Sequence, residues 1–186
     1  CTSSMSALRY AMLNVRSSEH RHAICTGSEL SSRYMRGRNF EPELEHLVAE
    51  LEKRPEIAFE KDFLRWMLSD GAGAVLVQPQ PNADRPSLRI DWIDIVSLAG
   101  DMPVCMHCGG NKRPDGSMQY PHELEDPLDI VRKGFNAFKQ DARFLSENVV
   151  AAWVDRAFMS IARRRQLVPE DITWFLPHYS SEYFRT

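Results

Sequence analysis

A helical pattern that feeds directly into a short apolar run is the strongest constraint in this sequence. Cys1-Thr2-Ser3-Ser4 opens with three small hydroxyl side chains of the type that cap helix N-termini, and Met5, Leu8, Met12 and Val15 follow at helical spacing. A helix over 1–18 is therefore expected, with Cys1 at its N-terminal edge. After the polar break at 17–20, Ala23-Ile24-Cys25-Thr26-Gly27 has the length and β-branched content of a buried strand. A second such run, Ala74-Val75-Leu76-Val77, follows Asp70-Gly71-Ala72-Gly73, whose small residues let backbones approach closely. Helix feeding strand marks the chain as α/β.

Composition bounds what this α/β chain can be. Of 186 residues, 23 are Lys or Arg and 26 Asp or Glu, so a net charge of −3 argues against a dominant basic surface for nucleic acid. With 43% hydrophobic and 26% charged residues, the chain is apolar enough to bury a core. No uncharged apolar run reaches the length of a membrane span, and no basic-then-apolar leader pattern occurs. Four cysteines, at 1, 25, 105 and 108, are too few for a secreted disulfide scaffold, so a cytoplasmic location is expected.

Residues 31–62 are polar and read as an insertion, with one apolar stripe (Leu44, Leu47, Val48, Leu51) on a short helix between Pro42 and Pro55. The stretch 79–87 holds three prolines and reads as the linker between a first part, 1–78, and a second, 88–186. In the second part 88–96 reads as a strand and 100–127 as a long loop. Val150, Trp153, Val154, Ala157 and Ile161 repeat at helical spacing over 144–166, with Arg163-Arg164-Arg165 where cations suit the helix dipole. The run 172–176 reads as a strand that leaves His178 at its carboxyl end, where open α/β sheets tend to hold ligands.

Cys1 and His178 are the candidate catalytic residues. A thiol at a helix N-terminus feels unpaired backbone N–H groups, which stabilise the thiolate. An imidazole is matched to proton exchange at neutral pH. Against these stand bland readings: a terminal cysteine can mark only where a chain was cut, and a histidine after an apolar strand can be structural. Cys105 and Cys108, with His107 between them, have metal-like spacing, but a closed zinc site needs four ligands and no second such pair exists. No metal or other cofactor is expected. Asp70-Gly71-Ala72-Gly73-Ala74 lacks the GxGxxG spacing of a dinucleotide site and precedes a strand, not a helix.

Taken in order, Cys1-Thr2-Ser3-Ser4, Asp70-Gly71-Ala72-Gly73-Ala74-Val75-Leu76 and Trp174-Phe175-Leu176-Pro177-His178 resemble the beta-ketoacyl-acyl carrier protein synthase III family. The resemblance implies a thiolase-like layered αβαβα fold of which this chain is an internal portion, preceded and followed by missing segments of the same enzyme. It also implies a Claisen condensation, in which Cys1 carries the acyl group and His178 polarises the extender thioester. The implied partners are acyl thioesters and an acidic acyl carrier protein, for which Arg163, Arg164, Arg165 and Arg185 are candidate docking residues, and a homodimer is expected. The stretch 30–69 is long for the family, and Tyr179-Ser180-Ser181 follows His178 where the housekeeping enzyme has Gln-Ala-Asn. Phe63-Leu64-Arg65-Trp66-Met67-Leu68-Ser69-Asp70 and Pro177-His178-Tyr179-Ser180-Ser181 resemble the branch that joins two acyl chains into dialkylresorcinol or cyclohexanedione precursors.

Two readings from other classes compete. Cys1 taken as an N-terminal nucleophile would use its own α-amine as base in an amide hydrolase. A non-catalytic partner subunit would keep the condensing fold only to shape a pocket for another chain.

Overall fold

The computed structural model describes residues 2–41, 48, 49, 51–53, 55, 64 and 66–178. Cys1, the 179–186 end with Arg185, and most of the helix expected between Pro42 and Pro55 lie outside the described residues. The chain divides into two compact units, one of residues 1–30 and 70–97, the other of 31–69 and 98–186. Helices and small antiparallel sheets occur together, so the chain is mixed α and β. Among the described residues no helix is long and apolar enough to cross a membrane.

The first unit is built from helix α1 (Ser3–Arg16), strand β1 (Ala23–Glu29) and strand β2 (Gly71–Val77). Spacing explains the packing: Leu8, Ala11, Met12 and Val15 recur on one helix face. Ala11, Met12 and Val15 are buried, and Ala11 and Val15 form a core with Val77, flanked by Leu8, Ala23 and Cys25. Burying a Val- or Met-sized side chain stabilises by about 1.5–3 kcal/mol, so this small cluster is the main support of the unit. The helix ends at Ser17, whose N–H reaches Leu13 O at 2.9 Å, and Ser18 turns the chain through a left-handed φ of 61°.

β1 and β2 pair antiparallel, with Gly27 opposite Gly73 and Ile24 opposite Leu76. Strand pleating sends Ala23, Cys25 and Val77 toward α1 and Ile24 and Leu76 to the other face. Ile24 is 72% and Leu76 56% exposed, so these strands are not the buried ones that their apolar content suggests. The sheet has two strands with a helix on one face, and burial on both faces requires a second covering layer.

Residues 88–98 form neither helix nor strand, against expectation. Leu88 is almost fully exposed, and Asp91 instead takes two arginines: its carboxylate accepts from Arg89 Nε at 2.7 Å and its carbonyl from Arg16 Nη1 at 3.4 Å.

In the second unit the expected loop 100–127 is partly structured. Strands β3 (Met106–His107) and β6 (Lys139–Gln140) pair antiparallel, as do β4 (Asn111–Lys112) and β5 (Met118–Gln119). The β4–β5 turn closes through Arg113 N–H to Ser117 O at 2.8 Å, with Gly116 at φ +86°, a value that L side chains rarely adopt. One helical turn, α2 (Asp129–Arg132), leads to Phe135, which is fully buried. The long helix then begins as α3 (Ala142–Val150), widens into a π-helix (Ala151–Phe158) and ends as α4 (Met159–Arg165). Gln166 closes it at φ 55°, directly after three arginines that suit the helix dipole.

Candidate functional site

The α1 N-terminus and the 174–178 segment carry the two candidate catalytic residues, one in each unit. Cys1 lies outside the described residues; the helix that begins two positions later is in view. Thr2 makes no side-chain capping bond and the first turn holds no acidic residue, so the helix's positive end is not neutralised locally. Thr2 O accepts from Ser6 N at 2.8 Å and Ser6 Oγ at 3.0 Å. Cys25 Sγ donates to Ser4 O at 3.8 Å, and a Cβ at Gly27 would lie 2.7 Å from Ser4 Oγ. The first turn of α1 therefore sits against the small-residue centre of the β1–β2 pair. A cleft of about 490 Å³ beside α1 and β1 is lined by Tyr10, Asn14, His20, His22 and Ile24, and does not reach that first turn.

His178 is exposed, at the end of a segment that forms no strand. A short apolar run signals a strand only if a partner is within reach, and here Phe175 instead packs on rings of the long helix. Its centroid lies 6.0 Å from that of Trp153 and 5.4 Å from that of Phe158. Trp174 and Leu176 point outward, at 81% and 86% exposure.

Cys105, His107 and Cys108 do not form the metal-like site that their spacing suggests. Cys105 Sγ points to Asp141 O at 3.7 Å and Cys108 Sγ to Asn136 O at 3.4 Å. Among the described residues no three His, Cys, Asp or Glu side chains converge as metal ligands.

What gathers there is a charged knot. Lys112 Nζ lies 2.6 Å from Asp141 Oδ2, while Asp141 Oδ1 caps α3 by accepting from Phe144 N at 2.8 Å. Asp141 N–H also donates to Cys105 O at 2.9 Å. Burial pushes the Asp141 carboxyl up, but the Lys112 ammonium and the Phe144 N–H outweigh it and hold the group below the usual range. Burial and then the Asp141 carboxylate push the Cys105 thiol up, so it is a poor nucleophile. Burial, Lys139 and Lys112 lower His107, whose ring nitrogens are buried without protein hydrogen bonds. The Asp141 cap was available in the sequence, as an Asp before Ala142-Arg143-Phe144; its pairing with Lys112, 29 residues earlier, was not.

Comparison of the chain with models of protein families and with curated proteins finds no match.

Proposed function

We propose that this protein is an acyltransferase that joins two acyl thioesters by Claisen condensation through an acyl-cysteine on Cys1. The observation that carries this reading is the α1 N-terminus, which opens just after Cys1, lacks an acidic first turn and packs Ser4 against Gly27. That setting favours a thiolate and offers backbone N–H groups to a developing oxyanion.

In the first step the Cys1 thiolate attacks the donor's thioester carbonyl, and the C–S bond to the donor breaks to release its thiolate, which takes a proton from water. In the second, an extender thioester becomes a carbanion by loss of carbon dioxide or by loss of an α-proton to solvent. It attacks the acyl-cysteine carbonyl and expels the Cys1 thiolate. His178 hydrogen-bonds the extender's thioester oxygen and stabilises the enolate. The reading includes the layered αβαβα arrangement, a homodimer, an acyl carrier protein as partner and a fatty-acid or polyketide-like product. No step calls for a cofactor.

The test is separate measurement of the two steps. Cys1→Ser should abolish acyl-enzyme formation, because a serine hydroxyl without a dedicated base is a far weaker nucleophile. His178→Ala should leave acylation intact and slow condensation. Equal loss of both steps in His178→Ala contradicts the division of labour, and hydrolysis of an amide substrate to acid and amine would favour the hydrolase.

A further inference from the structure

We infer that the π-helical segment Ala151–Phe158 is a positioning device for His178: it stacks Trp153 and Phe158 into one ring platform that holds Phe175 and, through it, the segment ending in the histidine. The inference rests on the assignment of His178 to the condensation step.

Trp153 and Phe158 are five residues apart. In an α-helix of 3.6 residues per turn, positions five apart point about 140° away from each other and their rings cannot stack. Hydrogen bonds from residue i+5 to residue i widen the turn and bring such positions onto one side. Met159 N–H reaches Val154 O, a bond of that kind. The rings of Trp153 and Phe158 consequently lie 6.3 Å apart and 10° from parallel. Phe175 closes the group at 57° to Trp153 and 64° to Phe158, within the tilted and edge-on arrangements that aromatic quadrupoles favour.

This trio is not ordinary core. No residue of the π segment is buried, Trp153 is 42% exposed and Phe175 52%. The three rings give a defined geometry rather than a large buried area. Phe175 is also the last ring before His178, and only Leu176 and Pro177 intervene. Pro177 fixes its own φ and drives Leu176 to extended backbone, so a fixed Phe175 leaves the histidine few conformations.

The experiment compares Phe158→Leu and Phe158→Tyr with the unaltered protein. The His178 imidazole resonances are identified among the six histidines by their loss in His178→Gln. Phe158→Leu should move or broaden those resonances, leave acylation of Cys1 unchanged, and lower kcat of condensation roughly 10- to 100-fold with little change in KM for the acyl donor. Phe158→Tyr, which keeps the ring, should restore both signals. Unchanged His178 resonances in Phe158→Leu, or equal loss of acylation and condensation, overturns the inference. If Phe158→Leu does not fold, Phe175→Leu removes the platform from its other side and is read in the same way. A protein that never acylates Cys1 refutes the proposed function, and the resonances still decide the platform.

Discussion

At the scale of single residues, Asp141 joins two jobs that are usually separate. One carboxylate oxygen caps α3 and the other receives Lys112, whose side chain is 16% exposed, against 29% for Asp141. Asp141→Ala removes both and leaves a half-buried cation, so it should cost about 2–4 kcal/mol in chemical denaturation. Asp141→Asn keeps the cap and should cost about half as much. His107 makes a pH prediction. Its value in the fold is lowered from 6.5 by burial and by Lys139 and Lys112, against the opposing pull of Asp141. The unfolded chain therefore binds a proton first as pH falls. Stability supported by neutral His107 is complete above about pH 6.5, is lost as pH falls from there to the folded value, and changes no further below it. Denaturation curves between pH 7.5 and 5 should show this slope, and His107→Gln should flatten it. Of this only the Asp141 cap was legible in the sequence, because the charged knot joins positions 105, 107, 112, 139 and 141 from three short strands and a helix start.

At the scale of elements, the contact between α1 and β1 turns on one missing side chain. Gly27→Ala brings a Cβ against Ser4 Oγ, which can rotate away only by leaving its place. The substitution should cost about 1–2 kcal/mol, and Ser4→Ala in the same protein should recover more than half. Simple additivity in that double-mutant cycle would show that the two do not touch. α1, β1 and β2 were legible because each carries its own signal: a 3.6-residue apolar stripe or a β-branched run of strand length. The strands expected at 88–96 and 172–176 carried the same kind of signal but did not form. A strand is completed by its partner, and Phe175 found rings at 153 and 158 instead. The two-residue strands β3 to β6 are too short for any periodicity. The π segment was hidden because Val150, Trp153, Val154, Ala157 and Ile161 fit α spacing equally well.

At the scale of the whole molecule, the proposed condensation needs acyl groups delivered by a carrier. Arg163, Arg164 and Arg165 lie together in the last turn of α4. Neutralising all three to Gln should raise KM for an acidic carrier protein several-fold at low salt and flatten its salt dependence. The reaction with small acyl thioesters should be unaffected. Cys1 and His178 belong to different units. The proposed role of Cys1 is central and can be tested by itself. Intact-protein mass spectrometry before and after incubation with a panel of acyl thioesters, followed by location of the modified peptide, does so directly. A mass gain equal to the acyl group, confined to Cys1 and absent in Cys1→Ser, is the expected result. A folded protein that gains no acyl mass, or gains it at Cys25, Cys105 or Cys108 instead, would contradict it.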